Sequence, residues 1–552
     1  MKPNQLLRIN KQTYLIIIAL IIGTLAIGKA QKKENVLHST KKQIYYMINH
    51  QSSEWIIAPE IKPDILTIFD SFEKTKRSKK VKFISDIDSI EFTVKINKPI
   101  DFIVLYNNDT AYTRIEFINC QPNTISMKDK LLALSMFWSE VRYNFVFYDQ
   151  LTFDWDSLYQ TYIPLVMETK NNVEFDELMQ KFVGSLQDGH TNYQGSHYHY
   201  PYTDYIGISV RYFNDTLRIV TVDTTLVNTF PVGSKIIKIN GMNTDEYMEK
   251  YINPYVDSKF KPTQELLAAY DLFSVRQLND KLTLTYITPQ GEIKTNTPPR
   301  EGERFRYPST GKSYISDYER IRISWLENNI ALLTINSFND PQGQIERYFE
   351  KYKDTLYYAD GIIIDIRTNS GGSTATARYF LKHIIKDTCF LHFAWQARVN
   401  NSVKKANGNY IENNKDFYAM RAYQTFDADT IYIEDSIKRF DCPIIILIAT
   451  GTVSAAEDFL IMLYERPDRP LFIGRPSFGS TGSPLVIWDW PIKNSFARIC
   501  ARRVLFPYSK KIFDTGIIPD IWVKYSFEEY MGNIDKDIEV AIKELEKQIQ
   551  KK

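Results

Sequence analysis

The sequence predicts a multidomain α/β protein, and two observations carry that expectation. From about Tyr314 onward, apolar runs of strand length alternate with amphipathic helical patterns. "NIALLTINSF" precedes "QGQIERYFEKYKD", "DGIIIDIR" precedes "TATARYFLKHII", and "CPIIILIA" precedes "SAAEDFLIMLYE". Strands that are apolar at nearly every position are buried on both faces, as in a parallel sheet covered by helices on either side. The second observation is length: 552 residues exceed what one hydrophobic core serves, and at roughly 150 residues per domain three or four domains are expected. A composition of 44% hydrophobic and 24% charged residues excludes a disordered or collagenous chain.

Taken in order, the first segment is a targeting signal. Lys2, Arg8 and Lys11 precede the apolar stretch "YLIIIALIIGTLAIG", which ends in small residues at 28–30. A basic start, a short apolar run and a small-residue cleavage site describe a secretory signal peptide over residues 1–30. Cleavage there would remove four basic residues and no acidic one, turning the net charge from +2 to −2. The rival is an uncleaved anchor, but the run is shorter than the roughly 20 residues a membrane span needs. No Cys stands nearby for a lipid anchor. The expectation is an exported, periplasmic or cell-envelope protein with no stable membrane span once the signal is removed.

Residues 31–122 hold alternating runs such as "SIEFTVKIN" and "IDFIVLYNN", which suggest a β-rich domain without evident chemistry. The basic run "KTKRSKKVK" in this part reads as a solvated loop, and no nucleic-acid partner is expected. Residues 123–200 turn helical, with i, i+3, i+4 apolar spacing in "MKDKLLALSMFWSEVRYNF" and "FDELMQKFVGSL". The second of these runs into "QDGHTNY", where Asp188-Gly189 breaks the helix and sets His190 on a turn.

Strand patterns return over residues 201–300. There "TFPVGSKIIKINGMNTDEYMEKYI" reads as turn, strand, tight Asn240-Gly241 turn and helix. It resembles the GD-x-I-x-x-I-N-G segment of PDZ domains, with Gly233-Ser234 where that family usually has Gly-Asp. The resemblance implies a module that could bind an extended peptide by adding it to a sheet; the plainer reading is a small β domain that spaces its neighbours. Residues 314–552 form the α/β core, interrupted by a polar excursion between about Val399 and Phe440 and closed by the amphipathic "IDKDIEVAIKELEKQIQKK".

The chemistry centres on Ser454, at the junction of an apolar strand and a helix. Ser454-Ala455-Ala456-Glu457 fits a capping box, in which Ser caps the helix and Glu reaches back. The alternative is a nucleophile, which needs a base for its proton and donors for an oxyanion. Adjacent Gly371 and Gly372, after the strand "DGIIIDIR", could bring backbone N–H groups close to a ligand, and the Ala455 amide could be a second donor. They could equally be an ordinary strand–helix turn. No Lys occurs between Pro443 and Ile492, so no nearby lysine in sequence offers a base, and Arg does not deprotonate. Among seven histidines, His190 alone sits where a turn presents it; His383 and His392 suit packing. His197 and His199 lack the acidic or Cys partners of a metal site. The scattered Cys120, Cys389, Cys442 and Cys500 show neither a metal spacing nor a disulfide framework. Neither metal nor cofactor is expected.

The ordered set "DGHT", the PDZ-like segment, "GIIIDIRTNSGG", "TVSAAEDF", "SFGSTGSP" and "GIIPDIWV" resembles the C-terminal-processing (tail-specific) serine peptidases over roughly residues 125–545. More narrowly it is similar to the tricorn and retinoid-binding-protein branch, which uses His in place of Lys. The resemblance implies Ser454 as nucleophile, His190 as general base, and Gly371 or Gly372 with Ala455 as oxyanion donors. Ser480 stands where the processing branch has its lysine. The tricorn-type site has a serine before its histidine, and here that residue is Gly189. Its acidic member is matched by Asp514, slightly out of register, with Asp520 or Asp188 behind it. Peptides or unfolded proteins are the implied substrates. The alternative on the same scaffold is an inactive or weakly active protein that binds peptides or apolar ligands.

Overall fold

A computed structural model describes residues 125–195, 206–273, 281–299, 319–493, 495–532 and 534–551, together with strands inside 44–116 and at 309–311. The segment 1–30, read above as a signal, lies outside the described residues, as do His197 and His199. The chain divides into two compact units, residues 1–125 and 126–552. In the first unit, a four-stranded sheet runs in the order Ile44–Tyr46, Asp109–Glu116, Ile100–Tyr106, Ile65–Phe69. A second sheet of three strands is ordered Glu54–Ile57, Ser78–Ile84, Ser89–Lys95.

The second unit opens with three helices, α1 (Met127–Asn144), α2 (Trp155–Glu168) and α3 (Asn172–Gly184). Each starts at a residue whose side chain accepts a backbone N–H of the first turn: Ser126, Asp154 and Asn171. The turn after α3 leads into the short strand β1 (Asn192–Gln194). A seven-stranded sheet between Ile208 and Gly311 then packs on the helix Lys261–Asp271 around Ile219, Ile236, Ile239 and Leu284. Asn240 and Gly241 both have positive φ, 49° and 80°, as a tight two-residue hairpin turn requires.

The core sheet has six strands. They are β2 (Ile321–Trp325), β3 (Ile330–Ile335), β4 (Gly361–Asp365), β5 (Ile444–Ile448), β6 (Leu471–Gly474) and β9 (Ile521–Trp522), in that spatial order. Only β2 runs antiparallel to its neighbour. Between β6 and β9 the chain forms β7 (Pro484–Val486) and β8 (Phe496–Cys500), which pair with each other, and β8 also pairs with β1. Helices α4 (Gln344–Leu356), α5 (Thr374–Ile384) and α6 (Ala455–Tyr464) cover one face, and α7 (Lys536–Ile549) the other.

The alternation explains the apolar runs. Ile444, Ile446 and Ile448 of β5 pack with α4, α5 and α6, while Ile445 and Leu447 pack toward Ala541 and Leu545 of α7. Neither side of β5 meets water, so apolar residues fill both of its faces. The parallel arrangement also gathers the β4–α5 and β5–α6 connections at one edge, where open α/β sheets form their sites.

Candidate active site

The β5–α6 connection is tied to the end of β4. Thr452 Oγ1 donates to the Ile366 carbonyl at 2.9 Å, and Val453 N–H donates to the Asn369 carbonyl at 3.0 Å. Held this way, Ser454 sits at φ 58° and ψ −123°, a conformation L-residues avoid. Such a position costs of order 1–3 kcal/mol and persists only where its surroundings impose it. The Ser454 side chain makes no capping hydrogen bond to α6. The strain therefore does not serve the helix; it turns the hydroxyl away from it.

Ser454 Oγ meets a ring. His190 Nε2 lies 3.1 Å from Ser454 Oγ, and His190 Nδ1 lies 2.6 Å from Ser480 Oγ. His190 comes from the turn after α3, fixed by Thr191 N–H donating to the Asp188 carbonyl at 3.0 Å and Thr191 Oγ1 donating to Asp188 Oδ2 at 2.6 Å. Thr191 Oγ1 also accepts the Cys500 N–H of β8 at 2.9 Å, which locks the turn to the core. With its proton on Nδ1, His190 donates to Ser480 and presents a bare Nε2 to the Ser454 hydroxyl.

The ring is buried, and burial drives its pKa from 6.5 to about 4, helped by the positive charges of Arg498 and Arg502. It is neutral at physiological pH. Among the described residues no carboxylate hydrogen-bonds either ring nitrogen; the two hydroxyls are its partners.

Asp514 is therefore a correction to the sequence reading as the group beside His190. It faces Lys259 at 3.5 Å instead, on the surface. The reason is the loop 477–480, which takes the place at Nδ1 and is stitched to the neighbouring segment by Ser477 N–H to Ile517 O, 3.1 Å, and Ile517 N–H to Ser477 Oγ, 2.7 Å. Asp520 forms a two-pronged ion pair with Arg469, both contacts at 2.7 Å. Asp188 shapes its turn, with burial raising its pKa to about 6. Gly189 also has a steric reason. A Cβ there would sit 2.7 Å from the Phe478 ring and 3.0 Å from Ser480 Cβ, so Ser480 occupies the space a serine before His190 would need.

The candidate oxyanion donors are brought to the same place. A Cβ on Gly371 would fall 2.8 Å from Ser454 Cβ and 2.9 Å from Ala455 N, so only glycine permits this approach. The Gly371 N–H is already given to Asn369 Oδ1 at 2.9 Å. The N–H groups of Gly372, which is exposed, and of Ala455, the first residue of α6, carry no hydrogen bond among the described residues. Of the two glycines, Gly372 has the open donor.

The sequence reading missed what Glu457 does. Its carboxylate accepts from Ser477 Oγ and Gly479 N–H, both at 2.6 Å, and from Ser480 N–H at 2.9 Å. The capping-box expectation had it reaching back, and it does feel the Ser454 N–H; it also reaches across and holds the loop that carries Ser480. A signal was present: Glu457 and Asp458 interrupt a helix whose residues 455–463 are all buried, and buried carboxylates demand donors. Asp458 finds Thr374 and Thr481. Among the described residues no cluster of ligand side chains could hold a metal ion.

A strained serine at a strand–helix junction, bonded to a neutral histidine beside open backbone donors on a doubly covered sheet, defines a serine hydrolase. Residues 329–523 match peptidase family S41 and residues 133–184 match the tricorn protease C1 domain, matches that support a serine-type peptidase. Among solved structures, mature CPAF complexed with lactacystin is 14% identical at TM-score 0.54, covering 77% of this chain and 98% of its own. A putative peptidase from Parabacteroides merdae is 20% identical at TM-score 0.44, covering 76% of this chain and 96% of its own. The tricorn protease is 11% identical at TM-score 0.39, covering 84% of this chain and 42% of its own. No curated protein is similar in sequence.

Proposed function

We propose that this chain is an exported peptidase that cleaves peptides or unfolded proteins through an acyl-enzyme on Ser454, with His190 as general base. The observation that carries the reading is the 3.1 Å contact between His190 Nε2 and Ser454 Oγ, within the reach proton transfer needs. As Ser454 Oγ attacks the scissile carbonyl carbon, its proton passes to Nε2. The carbonyl oxygen gains the negative charge, and the N–H groups of Gly372 and Ala455 stabilise it. Nε2 then protonates the departing amine. A water, deprotonated by the same nitrogen, releases the acyl group and restores Ser454.

Ser480 takes the orienting place that a carboxylate holds in many serine peptidases. It accepts from Nδ1 and fixes the ring, but it adds no negative charge to stabilise imidazolium. Export rests on the first 30 residues of the sequence; among the described residues no helix is long and apolar enough to cross a membrane.

One observation favours the alternative, a scaffold that binds peptide without efficient turnover: His190 has two nearby arginines and, among the described residues, no carboxylate partner. Denatured casein and a fluorophosphonate probe separate the readings. The peptidase reading expects cleavage and covalent labelling, both lost in Ser454→Ala and both reduced at least about a hundredfold in His190→Ala. Cleavage that survives Ser454→Ala would sink the assignment of the nucleophile, and peptide binding without labelling would establish the alternative.

A further inference from the structure

The loop that carries Ser480 continues into β7, an edge strand. β7 pairs with β8 on one side, and among the described residues nothing pairs with its other side. The hydrogen bonds flanking it set which groups face outward. Ala501 N–H donates to Ser483 O at 3.1 Å and Ile487 N–H donates to Ala497 O at 3.0 Å, so residues 483, 485 and 487 turn their main chain toward β8. In an antiparallel ladder the residues between them turn theirs away. Val486 therefore presents both N–H and C=O on the open edge, and Pro484 presents a carbonyl with no N–H.

The side chains on this course are unusual for a free edge. Pro484 and Val486 are exposed, and Trp488 is 78% exposed. Natural edges are commonly guarded by charge, by shortness or by proline; β7 is three residues long and opens with Pro484, but carries no charge. This one offers apolar side chains and an unfilled main-chain pair. It is also continuous with the site: Ser480 O accepts the Ser454 N–H at 3.2 Å, and the six residues from there to Val486 span at most about 20 Å of extended chain.

We propose that β7 is the substrate-docking edge, which takes an extended segment of polypeptide as an added strand and holds it chiefly by its backbone. The inference rests on the peptidase reading above. One substrate residue exchanges both hydrogen bonds with Val486: its C=O accepts the Val486 N–H, and its N–H donates to the Val486 C=O. Pro484, lacking an N–H, limits the next pairing to one bond. Recognition of this kind tolerates many side chains and rejects proline at the residue facing Val486, and it requires an unfolded segment because a folded one has no free strand.

The test has two arms, read on a synthetic decapeptide spanning a bond cleaved in denatured casein. In the first, each residue is N-methylated in turn and given to the wild-type protein. Apart from the scissile amide, one position should raise KM about tenfold or more while its alanine variant does not. In the second, Val486→Pro removes the outward N–H; proline is tolerated at an edge position whose N–H makes no ladder bond. KM should rise about tenfold or more, fluorophosphonate labelling of Ser454 should stay unchanged, and the rise should clearly exceed that of Val486→Ala, which trims the side chain but keeps the N–H. An N-methyl scan with no sensitive position beyond the scissile amide overturns the proposal whatever Val486→Pro does. A wild-type protein that fails to label with fluorophosphonate overturns the peptidase reading itself.

Discussion

Ser454 and His190 are separated by 264 residues, and the two were legible in the sequence by position and resemblance together. By position Ser454 suited a helix cap as well as a nucleophile, and the resemblance of the ordered motifs chose between them. His190 was one candidate on a turn, in a chain with no lysine near Ser454 in sequence, until the resemblance of the ordered motifs gave it the role of base. The ring's second partner was not legible: which hydroxyl or carboxylate reaches Nδ1 depends on how the loop 477–480 folds, and no local pattern encodes that. The proposed roles have a sharp consequence for pH. A base held at about 4 stays unprotonated far into acid, so the acid limb of kcat/KM should have its midpoint near pH 4; a midpoint near 6.5 would contradict the buried ring. Ser480→Ala should lower kcat by about tenfold to a hundredfold with KM little changed, because it frees the ring to turn without touching substrate. The same burial works against stability in acid. The unfolded histidine binds its proton from about pH 6.5 downward while the folded one excludes it to about 4, so stability falls across that window as pH drops.

At the scale of elements, the core strands and helices could be read directly, because a strand buried on both faces and an amphipathic helix have different periods. What escaped was the traffic between elements. Helix α6 is buried from Ala455 to Leu463 and uses Glu457 to organise a loop from elsewhere in the chain. Burial raises the Glu457 carboxyl's pKa, while its donors from Ser477, Gly479, Ser480 and Ser454 pull it back toward the ionised form that accepts from all of them. Glu457→Gln keeps the shape but cannot accept everywhere: an amide NH₂ would face either the Ser480 N–H or the donors at Oε1. A buried clash of donors costs about 1–3 kcal/mol, and the loop is the part free to yield. The variant should fold, lose at least about tenfold in kcat, and show an altered His190 ring resonance by NMR; an unchanged rate would show that the loop holds itself.

The second unit is fastened across its sheet by one arginine. Arg367, at the end of β4, contacts Asp365 at 2.7 Å, Asp535 at 2.8 Å and Asp537 at 2.9 Å, and the fully buried Asp537 also meets Arg475 at 3.1 Å. Asp535 and Asp537 sit at the start of α7, so the network docks the closing helix on the face opposite α6. Arg367→Met would strand buried negative charge, a loss of about 3–5 kcal/mol. Hydrogen exchange over Lys536–Ile549 should accelerate accordingly, and protection equal to wild type would show that apolar packing alone holds the helix. The sequence announced α7 by its amphipathic pattern but not this anchor, because "DIR" and "IDKD" lie far apart and acquire meaning only when β4 and α7 meet.

The distances along the chain between His190, Gly372, Ser454 and Ser480 bear on when the molecule could first act. Ser480 follows His190 by 290 residues, and contacts closed over such lengths form late, after the intervening sheet has assembled. A nascent or partly threaded chain holds a slack, unactivated serine and a histidine with nothing to orient it. The unfinished protein is itself the kind of extended substrate such a peptidase would accept, yet it carries no weapon to turn on its own chain. Arming and ceasing to be prey are one event, completion of the fold.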